Sequence, residues 1–175
     1  MNRSKEEIKA EINDKTSYLY KHCLYADSTI EHQIVFYKNR LIHLIFSFFT
    51  SENNLGFCLT GFNRQIFIYK ADFCTNNLLY DEERGPLSNY LYNRDKIMVH
   101  ELVHSSMAAK LGYTNYRKLP KWLTEGYAEH IAHQSGDLCN YRETEYPYQP
   151  FYIQMENELT KHDGKIEELV NTFLK

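Results

Sequence analysis

The sequence predicts an α+β single domain over residues 1–175, with a small N-terminal sheet and a set of C-terminal helices. Three observations carry that prediction. The chain has 175 residues, 43% of them hydrophobic, enough for one well-filled core. β-prone apolar runs lie in the first half, above all GFCLTGFNRQIFIYK at 56–70. In the second half apolar residues recur at helical spacing from Asn93 to Leu111 and again after Pro120. No repeat, low-complexity tract or Pro/Gly-rich linker divides the chain, whose 7 Gly and 4 Pro are scattered as punctuation.

The elements follow in order. From Lys5 to about Tyr25, charges alternate with Ile8, Ile12 and Leu19 at roughly helical spacing, giving an amphipathic opening helix. Residues 32–37 fit a strand or a helix start equally well. The next run, Leu41, Ile42, Leu44, Ile45, Phe48 and Phe49, is apolar on nearly all sides, as in a buried helix under the sheet. Gly61, Phe62 and Asn63 divide 56–70 into a hairpin or two adjacent strands. Residues 71–92, with Asn76, Asn77, Asp81, Gly85 and Pro86, read mainly as loop. Asn93 then suits an N-cap, Asp95 the positive end of the helix dipole and Gly112 a C-terminal stop. Pro120 suits the first turn of a second helix ending near Gly136. The Tyr-rich stretch 140–152 reads as extended or turn-rich, and 153–174 as helix broken near Asp163-Gly164.

Composition excludes several functions. With 20 Lys+Arg and 23 Asp+Glu the formal net charge is −3, which offers no broad attraction to nucleic acid or an anionic membrane. Leu41–Phe49, the longest apolar stretch, is interrupted by His43 and Ser47 and is far shorter than the roughly 20 residues a membrane span needs. The N-terminus MNRSKEEIKAEINDK lacks the apolar region of a secretory signal, so a cytoplasmic location is expected. Cys23, Cys58, Cys74 and Cys139 form no C-x-x-C pair, arguing against a zinc knuckle or a thioredoxin-type site and for free thiols.

The chemistry concentrates in 100–129. His100-Glu101-Leu102-Val103-His104 places two imidazoles at i and i+4 on one helical face, where both can ligate one Zn²⁺. Glu101 beside them can take a proton from activated water and deliver it to a leaving amine. Ile97, Val99, Leu102, Val103 and Met107 supply apolar anchors around the motif. A catalytic zinc needs a third protein ligand, and the next helix offers Glu125, Glu129, His130 and His133. A metzincin would place a His six residues after His104, where Lys110 stands, and a Gly where Met107 stands.

H-E-L-V-H followed by L-P-K-W-L-T-E-G-Y-A-E-H resembles the gluzincin metallopeptidases, in particular small peptidase-MA-like domains, over roughly residues 95–136. The resemblance implies a zincin-like fold, with an active-site helix backed by the sheet, and zinc-dependent peptide-bond hydrolysis. It makes Glu125, 20 intervening residues after His104, the third zinc ligand, and Glu129 the carboxylate accepting the outer N–H of His100. It also implies a Tyr or His that stabilises the oxyanion, for which Tyr148 is the first candidate, followed by Tyr152 and Tyr116. His130 and His133 point further from Glu125 by helical phase and read as structural or surface residues. No G-x-M-E-N segment precedes the helix, so nothing supports aminopeptidase specificity; IFIYK at 66–70 is the best substitute for a substrate-binding edge strand.

The expected partner is a peptide or protein substrate, with no nucleic acid and no membrane. Two rivals remain open at this point. One is a regulatory protease similar to the ImmA/IrrE group, which cleaves a particular protein. The other is a zinc-stabilised interaction module without turnover, against which the intact Glu101 argues.

Overall fold

A computed structural model describes residues 5–30, 32–37, 39, 41, 56–58, 65–69, 78–80, 91–134 and 148–175. Among the described residues, helix α1 (Lys5–His22) is followed by five strands, β1 (Gln33–Tyr37), β2 (Gly56–Cys58), β3 (Gln65–Tyr69), β4 (Leu78–Tyr80) and β5 (Leu91–Asn93). Then come α2 (Arg94–Leu111), the short α3 (Tyr113–Tyr116), α4 (Lys121–Gln134), α5 (Gln149–Lys161) and α6 (Ile166–Leu174). The described chain is thus an α+β protein, and no helix among the described residues is long and apolar enough to cross a membrane.

Strand β3 is the centre of a three-stranded sheet ordered β1-β3-β2, parallel to β1 (Ile34 opposite Ile66) and antiparallel to β2 (Cys58 opposite Ile66). Side-chain alternation sends Ile66 and Ile68 into the main core, while Phe67 on the other face stacks on Phe57 at 4.9 Å and meets Tyr37 edge-on. Residues 32–37, ambiguous in the sequence, become a strand because Ile34 and Phe36 pack against that core. The IFIYK run is therefore not an edge strand: β1 and β2 occupy both sides of β3, leaving no backbone ladder open to a substrate.

Helix α2 packs against β2, β3 and β5, and against α1, α3 and α4. Its stretch from Met98 to Ala108 is buried throughout, which is why it shows almost no amphipathic stripe. Met98, Val99, Leu102, Val103 and Met107 share one cluster with Leu19, Ile66, Leu123, Ile131 and Met155. Burying side chains of this kind contributes about 1.5–3 kcal/mol each, relative to leaving them in water. The helix stops at Gly112, whose φ of 79° belongs to glycine.

Two expectations need correcting. Residues 71–92 are not loop alone, since β4 pairs antiparallel with β5 across Leu79 and Tyr92; the rest of that stretch lies outside the described residues. Helix α5 begins at Gln149 and not at Ile153, because Pro150 fits the first helical turn, where no N–H is required. Tyr113–Tyr116 forms a short helix of its own between the two motif helices. Beyond Leu41, the expected buried helix at 42–49 lies outside the described residues, as do Gly61–Asn63 and Gly136. The expected break is at Asp163 and Gly164, both with positive φ, between α5 and α6.

Candidate metal centre

The buried stretch of α2 carries His100, Glu101 and His104, and buried polar groups of this kind persist only when paired. Their partners come from α4. The Nε2 atoms of His100 and His104 lie 3.0 Å apart, and Glu125 Oε2 lies 3.2 Å from the first and 3.3 Å from the second. These three atoms form the one group among the described residues with metal-ligand composition and spacing. Tetrahedral coordination with zinc–ligand bonds of 2.0–2.1 Å places ligand atoms about 3.3 Å apart, so the triangle fits an ion of that size with little rearrangement.

At the triangle, hydrogen bonds and neighbouring charges outweigh burial. Burial alone would lower the His100 pKa, but hydrogen bonds to Glu125 and Glu129 outweigh it and raise it well above the usual histidine range. Burial likewise pushes the Glu125 carboxyl up, and the charges and hydrogen bonds of His104 and His100 more than reverse this, holding it well below the usual carboxylate range. A site that draws a proton in this way also draws a cation, and the two compete for the same ligand atoms.

Each histidine is oriented from behind. His100 Nδ1 lies 2.8 Å from Glu129 Oε1, an ion-pair contact between α2 and α4. Burial raises the Glu129 pKa, while hydrogen bonds to His100 and His133 dominate and lower it. His133 Nε2 is 3.4 Å and Lys96 Nζ 3.9 Å from Glu129 Oε2. Burial lowers Lys96 to about 8, against the opposing pull of Glu129. His104 Nδ1 meets the Tyr116 hydroxyl at 2.9 Å.

Glu101 stands beside the triangle, beneath β2. A Cβ on Gly56 would come within 2.5 Å of Ile97 Cγ2 and 3.1 Å of Glu101 Cγ, so the strand passes over the carboxylate only because residue 56 is glycine. Cys58, two residues on and on the same strand face, adds its thiol beside Glu101; burial, then the Glu101 charge, keep that thiol protonated. Burial raises the Glu101 pKa, partly offset by His100 and His104. That direction suits a proton acceptor working near neutrality.

The structure thus brings His100, His104 and Glu125 to one point, with Glu101 and Glu129 next to it. The Tyr148 ring lies 5.5 Å from the His100 ring, at the N-cap of α5. Tyr116 is placed behind His104 and not on the open side, and Tyr152 stacks on His133 at 4.4 Å. His130 is turned toward Glu156. Sequence reasoning missed Gly56, Cys58 and Lys96, none of which belongs to a motif. At Gly126, one residue after Glu125, a Cβ would stand 2.5 Å from the Phe151 carbonyl oxygen of α5.

Compared with protein families, curated proteins and solved structures, the chain has no significant match.

Proposed function

We propose that this chain is a gluzincin-type zinc metallopeptidase with a zincin-like fold, acting on peptide or protein substrates. The triangle of His100 Nε2, His104 Nε2 and Glu125 Oε2, with sides of 3.0–3.3 Å, carries this reading. Two neutral imidazoles and one carboxylate are a donor set of catalytic zinc, leaving a fourth position open. Bound zinc would supply Lewis acidity, polarising a carbonyl and making water easier to deprotonate. Glu101, one residue from His100 and raised by burial, takes the proton from the attacking water and hands it to the leaving amine. Glu129 holds the His100 ring from its outer nitrogen, 2.8 Å away.

Tyr148 is the residue best placed to donate to a developing oxyanion, since its ring adjoins His100. Among the described residues β2 has a strand on one side only and crosses Glu101, so an extended substrate would lie along β2 and not along β3. The test is metal analysis of purified protein together with digestion of a peptide library. One zinc per chain and cleavage abolished by a chelator and restored by zinc are expected. A protein without stoichiometric zinc, or with zinc and no cleavage of any peptide, contradicts the proposal.

A further inference from the structure

We infer that Tyr116 is a positioning residue that holds the His104 ring with its Nε2 lone pair facing the ion. The inference rests on the reading of His104 as a metal ligand. A neutral imidazole coordinates through Nε2 only when its proton sits on Nδ1, and the Nδ1 partner decides which nitrogen carries it. That partner is the Tyr116 hydroxyl at 2.9 Å, with the two rings edge to face at 6.4 Å.

The direction of the hydrogen bond follows from its neighbours. A proton on Nε2 would face His100 Nε2 at 3.0 Å and Glu125 Oε2 at 3.3 Å and would close that nitrogen to an ion, whereas a proton on Nδ1 leaves the Nε2 lone pair in the triangle. With His104 Nδ1–H donating, the phenol oxygen is the acceptor, and Thr124 adjoins the same phenol. Thr124 Oγ1 in turn donates to the Lys121 carbonyl at 3.1 Å. Tyr116 thus stands between His104 and the first turn of α4, where Thr124 is one residue from Glu125. Burial, then the Cys58, Glu125 and Glu101 charges, push the phenol pKa up and keep it an O–H.

The backbone fixes this ring in place. Tyr116 N–H donates to the Gly112 carbonyl at 2.9 Å, and buried Leu119 donates to the Tyr116 carbonyl at 3.1 Å. The segment between the motif helices is thereby given a role: it ties the helix bearing both histidines to the helix bearing the carboxylate. The two histidines are also supported unequally, His100 by an anionic carboxylate and His104 by a neutral phenol.

The test uses the full metal-free chain. Zinc affinity is measured by competition with a chromophoric chelator, and the His104 tautomer is read from ring ¹⁵N–¹H correlations. In the wild type His104 is expected as the Nδ1–H form, and Tyr116→Phe is expected to bind zinc roughly ten- to a hundredfold more weakly, with mixed tautomers. Thr124→Val, which leaves the phenol in place, should give a smaller loss in the same direction and serves if Tyr116→Phe fails to fold. An Nε2–H form of His104 in the wild type, or unchanged affinity in the variants, overturns the inference while leaving zinc binding intact. A wild type that binds no zinc overturns the metallopeptidase reading and this inference together.

Discussion

In the proposed mechanism Glu101 is the residue on which turnover and metal binding separate. It touches neither nitrogen of the His100–His104–Glu125 triangle, yet it stands beside it under Gly56 and Cys58. Glu101→Gln keeps the shape and removes the base, so the variant should bind zinc as the wild type does and lose roughly 10²–10⁴ in kcat. Parallel metal titration and peptide assays check this; cleavage at the wild-type rate would remove Glu101 from the mechanism. His100, Glu101 and His104 were legible in the sequence because H-E-x-x-H is a spacing rule within one helix. Glu125 and Glu129 were legible through a resemblance and through their i, i+4 relation. Gly56, Cys58 and Lys96 were not, because nothing in a linear sequence tells which strand will cross which turn of a helix.

At the scale of elements, the site depends on how closely α5 approaches α4. Gly126 carries the propensity cost of glycine inside a helix, about 1 kcal/mol, and the structure supplies the reason. An added methyl would meet the Phe151 carbonyl oxygen at 2.5 Å and Met155 Cβ at 2.9 Å, and the first of these is backbone that cannot swing aside. Gly126→Ala should therefore destabilise the protein by about 1–3 kcal/mol despite its better helix propensity. Because Tyr148, the N-cap of α5, adjoins His100, the variant should also impair hydrolysis more than zinc affinity. Denaturant unfolding and a kcat comparison check both; an unchanged or raised stability would contradict the packing account. Helices α2 and α4 were readable from the H-E-x-x-H spacing and from the punctuation of Gly112 and Pro120, although α2, buried along its middle, carries almost no apolar stripe. The start of α5 was misplaced by four residues because Pro150 in a Tyr-rich stretch reads equally as a turn or as a helix start. The central position of β3 was hidden because strand order is set by pairing partners distant in sequence.

At the scale of the whole molecule, the cluster should couple pH, metal and folding. The folded pKa of His100 is raised in the metal-free protein, so its contribution to stability is fully present below about pH 6.5, the unfolded value, and is lost as pH rises through the folded pKa. Glu125 and Glu129 are depressed, so their contribution is present above about pH 4.3 and is lost as pH falls toward their folded pKa values. Chelator-treated protein should thus melt at a lower temperature at pH 8 than at pH 6. With zinc present the order should reverse, since ligands must shed their protons to bind, and zinc at 100 times Kd adds about 2.7 kcal/mol. Thermal melts at the two pH values, with and without zinc, check the sign; the same order in both states would mean that the proton and the metal do not compete for one position.

The account stands most directly on the identity of the atoms that hold the ion. X-ray absorption at the zinc edge, on the full chain loaded with one equivalent, reads that shell. The prediction is nitrogen and oxygen neighbours only, at about 2.0–2.1 Å, with the scattering pattern of two imidazoles and loss of the bound metal in Glu125→Ala. A sulfur shell near 2.3 Å, a single imidazole, or zinc bound as tightly in Glu125→Ala would contradict it.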